Sequence, residues 1–417
     1  MKKTSAVALI LLGPLLVLPA YAGHLFFTKH TIDSSFGGAQ SVYATDVDGD
    51  TDVDVLGAAN GSDGISWWQN DGSQNFTGYY IGGGADHTTS VYAADVDGDA
   101  DVDALAAAWG KGVPGGGRIA WWESSLNLNP PPGQPITWTE HIIADVRGGT
   151  SVYATDVDDD NDVDVLGTAE YDDLIAWWEN NPSGNSPPAD PVAWTQHTLD
   201  DAFGGAYCVY ATDLDGDDDT DVLGAALGAT TVAWWEHGDS LLTTEEITWT
   251  KHIIEDPFSG FPAWVYATDL DGDEDVDVLA ADHGTEAGNA PIIWWENDGS
   301  PADGDWTEHS IENDYWVWRG VHATDVDGDG DVDILGAAAE DNVVVWWEND
   351  GAPRDGGWVV HVLDSAFSYP LSVYATDLDG DQDTDVLSAA LAANTVAWWE
   401  NVTHVTYQPL TLKNYGP

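Results

Sequence analysis

Basic residues are nearly absent from this chain: ten Lys and Arg stand against 74 Asp and Glu in 417 residues, a formal net charge of −64. Nucleic acid is thereby excluded as a partner, since phosphate binding requires clustered Lys and Arg. Cysteine is scarcer still. Cys208 is the only one, so no internal disulfide staples the fold and another cross-link must take that role. Cys208 also stands in a column held by Ser41, Ser90, Ser151 and Ser372 in related segments, which assigns it to packing and not to thiol chemistry. Long apolar runs are missing except one, from Ala6 to Ala20, led by Met1-Lys2-Lys3 and closed by Ala20-Tyr21-Ala22. That pattern is a secretory signal with cleavage expected before Gly23, and no other stretch is long or apolar enough to span a bilayer. The protein is therefore expected outside the cell, secreted or at a cell surface. Catalytic signatures are lacking too: there is no GxSxG, no HExxH and no singular set of His, Asp and Lys, so no enzyme is expected.

What the chain has in abundance is aspartate at alternate positions. Asp46-Val-Asp-Gly-Asp-Thr-Asp-Val-Asp54 carries Asp46, Asp48, Asp50, Asp52 and Asp54, and the pattern occurs seven times. The other copies hold Asp95, Asp97, Asp99, Asp101 and Asp103; Asp156, Asp158, Asp160, Asp162 and Asp164; Asp213, Asp215, Asp217, Asp219 and Asp221; Asp269, Asp271, Asp273, Asp275 and Asp277; Asp325, Asp327, Asp329, Asp331 and Asp333; and Asp377, Asp379, Asp381, Asp383 and Asp385. Two carboxylates about 6 Å apart repel by roughly 0.7 kcal/mol in water and about four times that at an effective dielectric of 20. With little basic charge to relieve this, a hard divalent cation is the natural neutraliser. Calcium, at up to seven ions, suits the pattern: it takes many oxygen ligands in a flexible shell, whereas magnesium demands a stricter octahedron. In the copy from Asp156, Asp159 replaces the Gly that the other six have at the fourth position, so that turn is expected to be strained or its site poorly filled.

The loops punctuate a longer repeat. Successive copies start 49, 61, 57, 56, 56 and 52 residues apart, a period that must be read before any local structure. Each unit has four short apolar pieces: one like Ser41-Val-Tyr-Ala-Thr45 before the loop, one like Val55-Leu-Gly-Ala-Ala59 after it, one ending in a Trp pair at 67, 121, 177, 234, 294, 346 or 398, and one like Trp249-Thr-Lys-His-Ile-Ile254. Their β-branched and aromatic content, bounded by Gly, Asp, Asn and Pro, makes them strands. Four strands in each of seven units spell an all-β, seven-bladed β-propeller, with both rings of each Trp pair buried between blades. A strand of the fourth type, Phe27 to Ile32, precedes the first loop, and the last unit ends at Trp399 without one. The N-terminal strand is thus expected to complete the last blade and close the ring. His30, His141, His197, His252, His309 and His361 share one slot in that strand, with Tyr79 in the remaining unit; six equivalent histidines on six blades cannot meet at one site, so they are packing or rim residues. Pro-rich insertions at 124–137 and 181–192 read as surface loops. The domain plan is a signal at 1–22, a propeller at 23–400 and a tail at 401–417, which competes with the N-terminal strand for the last blade's edge.

With Phe36-Gly37 before the first strand, the Asp loop and then Leu56-Gly57-Ala58-Ala59, the repeat resembles the FG-GAP or VCBS repeat of integrin α-chain propellers, fungal lectins and secreted bacterial proteins. The resemblance implies calcium held by side chains at loop positions 1, 3, 5 and 9 and a carbonyl at 7: for the first loop, Asp46, Asp48, Asp50 and Asp54 with the carbonyl of Asp52. It also implies that these loops share one face and that ligands meet the other. There the loops carry Trp109, Lys111, Arg118, Arg147, Trp316, Trp318 and Arg319, a basic and aromatic set that is the candidate ligand surface. The function expected is adhesion or lectin-like recognition of a protein or glycan at a cell surface or in extracellular matrix. Two alternatives remain open: a fibre subunit assembled by strand exchange, and a polysaccharide lyase or dehydratase on a propeller scaffold.

Overall fold

The computed structural model describes residues 25–61, 64–83, 87–110, 116–125, 136–181, 192–238, 247–284, 292–311, 315 and 317–402. The signal at 1–22, the tail beyond 402, Lys111, Trp316 and most of the two Pro-rich insertions lie outside them. The described strands form seven antiparallel four-stranded sheets. Blade 1 runs through Ala39–Thr45, Asp54–Ala59, Gly64–Asn70 and Phe76–Gly83, and blades 2 to 6 repeat that order along the chain. In blade 7 the outer strand is Phe27–Asp33, paired antiparallel to Thr395–Asn401 with Lys29 opposite Trp399. The ring is therefore closed by the N-terminal strand, as the repeat register implied.

First strands of neighbouring blades face each other around a central channel. The cores lie between blades, seven in all. Neighbouring residues on a strand point to opposite faces, so Trp67 and Trp68 enter different cores, and both are 2% exposed. Each buried ring of this size is worth about 4–6 kcal/mol of transfer free energy as an upper bound. The small residue of the second strand follows from the same packing: a Cβ on Gly57 would lie 2.7 Å from the Trp68 ring and 3.0 Å from Phe36. On the outer strand, His30, His141, His197, His252, His309 and His361 each stack on the first Trp of a pair and bond the Glu that follows it, as His197 does at 4.3 Å from Trp177 and 2.7 Å from Glu179. Cys208 is buried.

Candidate functional site: seven acid cages and an axial cavity

Each Asp loop is tied down by its apolar and terminal members. The second residue, such as Val47 or Leu214, is buried in a core. Its N–H donates to the ninth aspartate, at 3.1 Å for Val47 to Asp54 Oδ2, while the other oxygen of Asp54 accepts from Asn70 N–H at 2.7 Å. All seven blades repeat this pair of bonds. The ninth carboxylate is thus first a strut, with both oxygens already engaged. The first carboxylate organises the turn: Asp46 accepts from the N–H groups of Gly49, Asp50 and Thr51.

Side chains at positions 1, 3 and 5 then converge. One carboxylate oxygen from each of Asp46, Asp48 and Asp50 lies within 4.8 Å of the others, as do Asp95, Asp97 and Asp99, and Asp269, Asp271 and Asp273; in blades 3 and 4 the ninth residue, Asp164 or Asp221, joins positions 1 and 3. Among positions 1, 3 and 5, the carboxylate at position 3 is the most perturbed. Burial and then the charge of Asp50 push Asp48 up to about 6, and Asp97, Asp158, Asp215, Asp327 and Asp379 rise alike. One oxygen of Asp48, Asp158 and Asp215 is buried with no hydrogen-bond partner. Buried carboxylate oxygens left open toward other carboxylates are the donor set a hard, oxygen-seeking cation fits.

The cages are not equivalent. In blade 3 Asp159 takes the left-handed conformation, at φ 60°, that glycine takes elsewhere, and among the described residues its N–H does not make the bond to the first carboxylate that Gly49 makes. In blade 5 the cage already holds a cation. Arg354, on the loop between third and fourth strands of blade 6, places Nη2 2.5 Å from Asp271 and 2.5 Å from Asp273, with Nε 3.0 Å from Glu296.

The opposite face holds a cavity of about 500 Å³ on the channel axis, lined by residues that differ from blade to blade: Gln40, Asn60, His87, Thr89, Trp109, Thr150, Glu170, Tyr207, Leu227, Trp264, His283, Arg319, Tyr369, Leu371 and Leu391. Beyond it the channel is crossed by a closed ring of Tyr43, Tyr92, Tyr153, Tyr210, Tyr266, His322 and Tyr374, with neighbouring centroids 4.6 to 5.2 Å apart. Burial raises the phenols of Tyr92, Tyr153, Tyr210, Tyr266 and Tyr374 and lowers His322 to about 4, so these six groups are uncharged at pH 7.

The candidate ligand set is dispersed. Trp109 and Arg319 line the cavity, with Trp109 Nε1 donating to Glu170 at 2.9 Å. Arg118 pairs with Glu140 at 2.7 Å and Arg147 with Asp172 at 2.5 Å. Trp318 corrects its expected place at the ligand surface, being 0% exposed in a core. Blade 6 has no Phe before its first strand, and the Trp318 ring covers Gly336 as Phe36 covers Gly57.

Two networks escaped the sequence reading. One is the aromatic ring, visible as a single Tyr column in the first strand once the repeats are stacked. The other is the Asn after Trp-Trp-Glu or Trp-Trp-Gln: Asn70, Asn180, Asn297, Asn349 and Asn401 each reach a carbonyl in the Asp loop of a neighbouring blade, as Asn70 does to Leu378 at 3.2 Å. Ser124 and His237 stand in that slot in blades 2 and 4.

Comparison with known proteins agrees with this architecture. A family model described as the FG-GAP-like repeat matches residues 46–106, 269–336 and 325–388. No curated protein sequence matches the chain. Among solved structures, BBS1N in its complex with ARL6DN, soaked with lead, is similar at a TM-score of 0.56 and 9% identity, over 92% of this chain and 99% of that one. The mercury-soaked crystal of the same complex gives 0.53 and 10% over the same shares. At such identity the likeness is one of fold.

Proposed function

Because the chain belongs to the FG-GAP-repeat β-propellers, we propose that it is an exported, calcium-braced recognition module whose cages stiffen one face while the opposite face meets a protein or a glycan. Calcium would be held chiefly by positions 1, 3 and 5 of each loop, and it supplies the positive charge the buried carboxylates lack. A site filled at ten times its dissociation constant adds about 1.4 kcal/mol, so several sites together rival the stability of a whole domain. The observation that carries the recognition half is the division between repeated and unrepeated residues. Cage, Trp and His positions recur around the ring and build it, whereas the axial cavity gathers side chains that no two blades share in full. A singular partner needs singular residues. The cavity's one carboxylate among the described residues, Glu170, is engaged by Trp109, an arrangement that suits binding better than acid and base catalysis. That a propeller of this fold, BBS1N, is held in a complex with another protein supports the same use.

Site-directed masking tests the reading. A bulky polymer attached through Glu340→Cys, on the cavity face, should block capture on an array of glycans and extracellular proteins. The same polymer on Thr51→Cys, at the cage face, should not. Equal capture by both conjugates, or loss only with the second, contradicts the assignment of faces.

A further inference from the structure

We propose that the axial cavity binds a carboxylate carried on a sugar ring, an acidic monosaccharide either free or at the end of a glycan, with Arg319 as its anchor. This rests on the recognition reading and names its ligand class. The observation behind it is one of pairing. Of the six described basic residues, Lys29 pairs with Asp364, Arg118 with Glu140, Arg147 with Asp172, Lys251 with Asp200, and Arg354 with Asp271 and Asp273. Among the described residues Arg319 forms no salt bridge, although the chain has 74 acids to offer. Its guanidinium bonds the uncharged hydroxyl of Tyr207, while its Nε is buried without a hydrogen-bond partner. A buried charged donor left open is costly, and the cost is recovered when a ligand brings the acceptor.

The position is specific to one blade. Gln40, Thr89, Thr150, Tyr207, Ala263 and Leu371 occupy the slot of Arg319 on the other first strands, so a single guanidinium faces the axis. Its planar fork suits a carboxylate, which accepts two parallel bonds. Around it the lining suits hydroxyls. The Gln40 and Asn60 amides can donate and accept. His283, held near 4 by burial and then by Arg319, is a neutral imidazole with one donor and one acceptor. Trp264, which lines both the cavity and the adjoining channel, adds aromatic surface suited to the ring's C–H side. A cavity of about 500 Å³ lies in the range of ~300–1,000 Å³ typical of small-ligand sites. The field argues for one negative charge only: Glu170 shares the lining and the chain carries −64, so each further charge on a ligand adds repulsion that phosphate esters would feel most.

Isothermal titration of the full chain in saturating calcium, with sodium glucuronate against glucose, tests this. Glucuronate should bind saturably and glucose should give no heat. Arg319→Gln should weaken glucuronate by about tenfold or more with an unchanged melting temperature, and Gln40→Trp, which fills the cavity from another wall, should do the same. Tighter binding of a glucuronate-terminated oligosaccharide assigns the end of a glycan; equal binding assigns the free sugar. No heat with glucuronate from a calcium-loaded, folded chain overturns the proposal, as does full affinity in Arg319→Gln. If the unsubstituted chain is captured on the array but gives no heat with glucuronate, and capture persists in Arg319→Gln, the recognition module stands and the cavity assignment falls.

Discussion

At the scale of single residues, the seven loops compare seven chemical variants of one geometry. Position 4 is left-handed in each, and Asp159 adopts φ 60° where Gly49 and its equivalents have 72° to 80°. A side chain there costs about 1–2 kcal/mol, and no atom within 4 Å of a Cβ at Gly49 suggests a steric return. Asp159→Gly should therefore raise the melting temperature of the calcium-loaded protein and tighten cation binding at the blade 3 loop; a lowered melting temperature contradicts this. Arg354 gives a second test. With its guanidinium between Asp271 and Asp273, the blade 5 cage should take calcium last, and Arg354→Gln should add one ion to the stoichiometry measured at limiting calcium. An unchanged count means that calcium displaces the arginine without cost. His322 sets an acid limit. Burial holds its folded value near 4 against an ordinary 6.5, so between these values the unfolded chain binds the extra proton. The stability it contributes is full above about 6.5 and falls as pH drops toward 4. His322→Tyr, completing the tyrosine ring, should extend thermal stability to lower pH, and an identical pH profile would count against the burial account.

At the scale of elements, the N-terminal strand bears more than edge pairing. Lys29 Nζ lies 2.6 Å from Asp364 in blade 6 and 4.2 Å from the Phe367 ring, and Val402 N–H bonds Phe26 carbonyl at 2.9 Å. Hydrogen exchange on the monomer should show Phe27–Asp33 as protected as Thr395–Asn401. Free exchange of the first segment with protection of the second would reopen strand exchange between molecules. Much of this level was legible in the sequence, because a strand's identity is local: Phe27-Thr-Lys-His-Thr-Ile32 copies the outer-strand pattern and can only sit where an outer strand is missing. Trp318 was not legible. Its column holds Ala39 and Thr88, and its burial depends on the absence of a Phe ring contributed from another position, a three-dimensional substitution that no alignment of repeats displays. Arg118 and Arg147 look like Arg319 in sequence; only their distances to Glu140 and Asp172 remove them from the cavity's charge.

At the scale of the whole molecule, seven nearly identical blades are joined by packed Trp rings, by Asn links between loops and by a closed aromatic ring, while five aspartates per loop push each loop apart. In the proposed function calcium is the counterweight to that repulsion, and the opposite face is left to recognition. Calorimetric melting of the purified chain in excess calcium, excess chelator and excess magnesium addresses this most directly. The melting temperature should fall markedly in chelator, return with calcium and return only weakly with magnesium, which demands a stricter octahedral shell. Superimposable curves in calcium and chelator would contradict it.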